Sequence, residues 1–104
     1  MIEETLDLLA APPERQQAWL RDNGLPTPEE LLLQFDDDLA LLPGLREDGA
    51  LSPMTFDLLG RVDAQFSLIE EMPDMWSLEA LSGPPWRALR EKARAALQSL
   101  RVPA

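Results

Sequence analysis

A chain of 104 residues is long enough for one domain with a single modest core, and its hydrophobic content of 45% is typical of globular proteins. Cysteine and histidine are both absent, which excludes disulfides, thiolate metal sites and the commonest general base. The net charge of −10 disfavours direct binding to nucleic acid, because an acidic surface repels phosphates.

Proline and glycine divide the chain into helix-sized segments, and no run of alternating β-branched residues predicts a strand. The apolar spacing predicts helices over residues 2–11, 13–23, 28–35, 37–42, 53–72 and 85–101, with a short helical turn at 78–81. Gly24 is expected to close the second helix. The predicted fold is all-α, a single-domain irregular bundle of five or six short-to-medium helices spanning residues 1–104.

Several helix ends carry capping signals. Thr27 is predicted to cap the third helix, with Glu30 completing a capping box, and Ser52 to cap the long helix that begins at Pro53. Gly60 interrupts this long helix, and we expect it to lie where another helix approaches closely. Trp19 and Trp86 stand at helical positions typical of core residues.

Three consecutive aspartates, Asp36, Asp37 and Asp38, follow the third helix. They do not fit a calcium loop, because the sixth position of such a loop would be Leu41 rather than glycine. Neighbouring side chains on a helix also point in different directions. We therefore expect no metal site, and we expect Asp36 or Asp37 to cap the short helix over 37–42, where negative charge favours the helix dipole.

Helix capping does not require all of the local acidic residues. Arg46 is the only basic residue among seven acidic ones between positions 29 and 48, and the acidic residues include Glu47 and Asp48. Such a concentration of charge is typical of a surface that binds a basic partner. A solvated acidic face that aids solubility is the equally open alternative.

The segment MPDMWS adds an apolar candidate, because Met75 and Trp76 lie in a loop beside acidic residues. Methionine and tryptophan are common in adaptable protein-binding patches. The last helix is different in charge: residues 87–104 contain five basic and one acidic side chain, whereas residues 1–86 contain 4 basic and 18 acidic ones. We expect this helix to pack against the acidic body and offset its charge.

Nothing in the chain predicts catalysis. No serine lies in a GxSxG context, no glycine-rich phosphate loop is present, and Lys92 is the only lysine. The prediction is a protein that is not an enzyme and uses no cofactor. The N-terminal residues are acidic, unlike a signal peptide, and no apolar run spans a membrane, so we expect a cytoplasmic protein without membrane contact.

Residues 41–52 (LLPGLREDGALS), the long helix after them, residues 76–81 (WSLEAL) and residues 85–90 (PWRALR) resemble small helical bacterial proteins of the toxin-immunity group. The resemblance implies an antitoxin-like binder and assigns no functional residues. Together with the acidic surface, it favours a protein-protein binding module that neutralises a basic toxin. The alternative is an adaptor or small subunit of a larger bacterial assembly, binding through an apolar patch, and an enzyme of unknown reaction ranks third.

Overall fold

The computed structural model describes residues 2–24, 27–40 and 52–101. These residues form five α-helices and a short 3-10 helix, and they contain no β-strand. The prediction of an all-α single-domain bundle is confirmed. The α-helices are α1 (Ile2–Leu9), α2 (Pro13–Asp22), α3 (Glu29–Leu39), α4 (Pro53–Glu71) and α5 (Pro84–Arg101), and the 3-10 helix is Glu79–Ser82.

Proline and glycine set the limits of the helices largely as predicted. Pro13 occupies the first position of α2, where its missing N–H leaves no helical hydrogen bond unmade. Beyond the other end of α2, Gly24 has a φ of 67°, a left-handed conformation that glycine adopts without steric cost. Ser52 caps α4 as predicted, because its Oγ accepts a hydrogen bond from the Thr55 N–H at 3.2 Å.

The two longest helices, α4 and α5, pack along each other and form the main part of the core. Helix α1 lies against both α5 and α3, and the 3-10 helix packs on α5. The periodic apolar positions of the sequence supply this core because they recur on one face of each helix. Its fully buried large side chains include Leu6, Leu9, Leu20, Leu31, Phe35, Leu59, Phe66, Ile69, Leu81, Trp86 and Leu89.

A line of aromatic rings joins three of the helices. Phe35 of α3 lies 5.6 Å from Phe66 of α4, measured between ring centroids. Phe66 in turn meets the edge of Trp86 of α5 at 5.8 Å. Aromatic pairs in these tilted and edge-to-face arrangements add about 0.5–1.5 kcal/mol beyond the area they bury. The line therefore supplies a buried side-chain contact between α3 and α4.

Buried polar side chains also connect α4 to α5. The Thr55 hydroxyl is within hydrogen-bond distance of the Ser99 hydroxyl, at 2.8 Å. Gln65 donates to the Pro85 carbonyl at 3.0 Å, and its amide oxygen accepts a hydrogen bond from Lys92 at 2.7 Å. Because these groups satisfy one another inside the helix pair, they specify the alignment of the two helices as well as stabilising it.

Two predictions about local structure are wrong. No side-chain hydrogen bond caps α3; its first turn is closed by the backbone, with the Glu30 N–H donating to the Thr27 carbonyl at 3.2 Å. The proposed capping box is therefore absent from α3. Gly60 does not mark a close helix approach either, because a Cβ atom added there would meet none of the described residues within 4 Å.

Candidate protein-binding surface

The three consecutive aspartates lie in the last turn of α3, not at the start of a following helix. The Ala40 N–H donates to the Asp36 carbonyl at 3.1 Å, so the helical hydrogen bonding continues through the run. The prediction that Asp36 or Asp37 caps a helix over residues 37–42 is therefore wrong. The reason lies in spacing: Asp38 follows Phe35 by three positions and joins the buried face of α3.

Asp38 is part of the interior and not of the surface. Its exposed fraction is 8%, and that of Thr5 in α1 is 3%. The Thr5 hydroxyl donates a hydrogen bond to the Asp38 carboxylate. A partner protein therefore cannot reach Asp38 as the sequence prediction assumed, and this residue serves the α1–α3 contact instead.

Asp36 and Asp37 are exposed, and a third carboxylate, from another helix, lies near enough to act on Asp36. The pKa of Asp36 is raised above its usual value by partial burial, by the negative charge of Asp63 and by that of Asp37. Asp63 belongs to α4, three positions before Phe66, whose ring contacts that of Phe35 in α3. We call Asp36, Asp37 and Asp63 the acidic cluster.

The acidic cluster is electrostatically unfavourable for the folded chain. The C-terminal end of a helix carries partial negative charge, so a carboxylate there destabilises the helix by roughly 0.3–1 kcal/mol when exposed. No basic residue lies in the last turn of α3 to offset Asp36 and Asp37. Mutual repulsion with Asp63 adds to this cost. The cluster is thus maintained without any stabilising role visible among the described residues.

Sequence reasoning found two members of the acidic cluster and missed the third. Asp63 is separated from Asp36 by 27 positions, so local charge counting does not connect them. The signal that links them is indirect: each aspartate lies close in sequence to one ring of the buried Phe35–Phe66 pair. Glu47 and Asp48, which the sequence also predicted for the surface, lie outside the described residues.

Met75 and Trp76, the predicted apolar contact, are half-buried. The Trp76 ring meets Trp86 edge-on at a centroid distance of 6.0 Å. The Met75 carbonyl accepts a hydrogen bond from the Trp86 indole N–H at 2.9 Å. The loop is therefore anchored to the core through Trp86, and only part of each side chain remains for a partner.

More strongly exposed apolar side chains lie on either side of this loop. Met72 is 39% exposed and Leu78 is 44% exposed. The backbone between them includes Asp74, whose φ of 62° places a non-glycine residue in the left-handed region. Aspartate tolerates this conformation better than most residues. An apolar contact at this loop would thus depend on Met72 and Leu78 more than the sequence indicated.

The basic last helix packs against the acidic body, as predicted. Helix α5 lies along α1, and Arg101 pairs with Glu3 at 3.0 Å. Arg90 instead donates to the Leu81 carbonyl at 2.5 Å, which ties α5 to the 3-10 helix. With Lys92, which donates to Gln65, at least three of the basic side chains of α5 are therefore engaged within the chain.

Within residues 2–24, 27–40 and 52–101, no three acidic side chains are grouped so that they hold a metal ion. The same ranges contain no helix that combines the length and the apolar character needed to cross a membrane.

The sequence matches no family model, and no significant match to it is found among curated proteins or solved structures.

Proposed function

We propose that this chain is a non-enzymatic protein-protein binding module that engages a basic protein through the acidic cluster. The observation that supports the proposal is the position of Asp36 and Asp37 at the C-terminal end of α3, where negative charge is unfavourable. Asp63 adds to the repulsion at Asp36. Residues that break a local rule without a compensating structural gain are commonly functional. A cationic surface placed against the cluster would relieve the repulsion.

Charge complementarity of this kind acts mainly on association rate and specificity. A clustered negative surface accelerates encounter with a basic protein and disfavours acidic competitors. This is the behaviour required of an immunity protein that must neutralise a basic toxin before the toxin acts. We therefore propose a bacterial toxin as the partner, which agrees with the resemblance drawn from residues 41–90.

An adaptor that binds through an apolar patch is the second candidate. The exposed side chains of Met72 and Leu78 favour it, because they flank a loop that Trp76 and Met75 anchor to the core. In that case truncating Leu78 to Ser removes binding, whereas neutralising the acidic cluster has little effect. The two candidates thus make opposite predictions for two sets of variants.

The direct experiment is capture of partners from a lysate of the native host by tagged chains. The test variant is Asp36→Asn/Asp37→Asn/Asp63→Asn. The matched control, Asp57→Asn/Glu70→Gln/Glu71→Gln, removes the same amount of charge from exposed positions of α4. We expect a basic protein to be captured by the wild type and by the control but not by the test variant.

Equal capture by all three proteins contradicts the proposal. Where a basic protein is captured selectively, its expression in a host cell tests the immunity assignment. The wild-type chain should restore growth that the captured protein inhibits, and the test variant should fail to do so.

A further inference from the structure

A groove runs along the exposed face of α1 and reaches Gln34 of α3. It consists of two cavities of about 310 and 300 Å³ that share Glu4 and Asp7 in their walls. We call it the α1 groove. The rest of its lining comes from Glu3, Thr5, Leu8, Arg15, Trp19, Gln34 and Arg101.

Two arginines of the chain itself already bind carboxylates in the α1 groove. Arg15 pairs with Asp7 at 3.0 Å, and Arg101 pairs with Glu3 at 3.0 Å. Glu4 lies in the wall common to both cavities, and it forms no ion pair with any residue of the described segments. The groove therefore contains two arginine–carboxylate pairs. It also contains the carboxylate of Glu4, which pairs with no basic residue of the described segments.

The wall near Glu4 also contains an aromatic ring. Trp19 of α2, which the sequence predicted to be a core residue, is only half-buried and lines the larger cavity. Leu8 adds an apolar surface, and Gln34 of α3 adds a polar group at the edge. An indole beside a carboxylate suits a guanidinium, which stacks on aromatic faces and pairs with carboxylate oxygens.

We propose that the α1 groove receives one arginine side chain of the basic partner, with its guanidinium between Glu4 and Trp19. This proposal rests on the proposed function, because it assumes a basic protein partner, and it adds a second contact outside the acidic cluster. Arginine fits better than lysine, since a planar cation uses both the ring and the carboxylate. Arginine is also among the residues that most often dominate binding energy at interfaces.

The experiment needs no partner protein. The wild-type chain is titrated with N-acetyl-arginine methylamide while the indole N–H signals of the three tryptophans are followed by NMR. N-acetyl-citrulline methylamide, which is neutral but of nearly the same shape, is the ligand control. We expect the arginine compound to shift the Trp19 signal saturably and to leave Trp86, which is buried, unchanged.

Two variants sharpen the measurement. Glu4→Gln should weaken binding of the arginine compound about three- to fivefold, as expected for loss of one exposed ion pair at the upper end of its range. Glu70→Gln, which removes one exposed charge from α4, should leave the affinity unchanged. The proposal is overturned when the citrulline compound shifts Trp19 as strongly as the arginine compound, or when the two variants bind equally well.

The outcome can be separated from that of the proposed function. If the Trp19 signal does not shift but partner binding depends on Asp36, Asp37 and Asp63, the arginine site in the α1 groove is refuted and the proposed binding module is not. A Trp19 signal that shifts, together with partner binding that does not depend on Asp36, Asp37 and Asp63, supports the α1 groove and refutes the role of the acidic cluster.

Discussion

The Thr5 hydroxyl donates a hydrogen bond to the Asp38 carboxylate, linking α1 to the last turn of α3 across 33 positions of the chain. Both side chains are buried, so the pair lies in a medium where an unmet polar group is costly. This contact separates Asp38 from its two neighbours. Asp38 of the run links α3 to α1, whereas Asp36 and Asp37 are exposed to solvent.

Thr5→Val tests the structural role of this pair. Valine has nearly the same shape as threonine but donates no hydrogen bond, so the Asp38 carboxylate loses this donor inside the protein. We expect the free energy of unfolding, measured by urea denaturation, to fall by about 1–3 kcal/mol. A loss below about 0.5 kcal/mol, the range of ordinary surface substitutions, would show that the bond is unimportant.

Neutralising the exposed aspartates should have the opposite effect. Asp37→Asn removes a negative charge from the C-terminal end of α3 and should stabilise the chain by roughly 0.3–1 kcal/mol at low salt. The matched control is Glu29→Gln, which removes a charge from the first turn of the same helix and should destabilise it by a similar amount. Both effects should shrink at high salt. Changes of the same sign in the two variants contradict this account of the helix end.

Asp36 should make stability depend on pH in a defined direction. The pKa of Asp36 in the folded state is raised above 3.8, the ordinary value that applies in the unfolded state. Between the unfolded-state and folded-state pKa, the folded chain therefore binds more protons than the unfolded chain does. The contribution of Asp36 to stability therefore falls as pH rises through this interval, and above it the penalty is fully present. Protonation at low pH relieves the penalty.

The measurement is the difference in unfolding free energy between Asp36→Asn and the wild type, followed from neutral pH downwards. We expect the variant to be the more stable at neutral pH and its advantage to shrink as pH approaches 3.8. An advantage that grows on acidification has the wrong sign for a raised pKa.

Two glycines should respond in opposite ways to the same substitution. Gly24→Ala forces a Cβ atom into a left-handed conformation and should cost about 1–2 kcal/mol. Gly60→Ala adds a Cβ atom to α4 at least 4 Å from any neighbour in the described segments and should stabilise the chain by about 0.4–1 kcal/mol. Thermal unfolding of both variants checks the pair. Destabilisation by Gly60→Ala would mean that a neighbour approaches α4 after all.

Much of the fold could be predicted because its signals are local. Pro13, Gly24 and Ser52 mark helix limits through their own backbone or side-chain chemistry, and the apolar spacing of α4 and α5 identifies the buried faces. The capping box at Thr27 failed because backbone hydrogen bonds close the first turn of α3 without side-chain help. A capping-box sequence favours side-chain hydrogen bonds at the start of a helix but does not enforce them.

The candidate site was harder to predict because it depends on contacts distant in sequence. Asp38 is hydrogen-bonded to Thr5 of α1, and Asp36 is repelled by Asp63 of α4. The run of three aspartates looks uniform in the sequence. Packing divides the run into one internal residue, Asp38, and two surface residues, Asp36 and Asp37. It also brings Asp63 of α4 near Asp36.

Association kinetics with the captured basic protein test the central claim most directly. Rates are measured by stopped flow at about 50 and about 300 mM NaCl for the wild type, for Asp36→Asn/Asp37→Asn/Asp63→Asn, and for the control Asp57→Asn/Glu70→Gln/Glu71→Gln. We predict that the acidic-cluster variant associates about tenfold or more slowly at low salt, with a flatter salt dependence, while the control stays close to the wild type. Equal rates and equal salt dependence in the two triple variants would contradict the account, because binding would then depend on net charge and not on the acidic cluster.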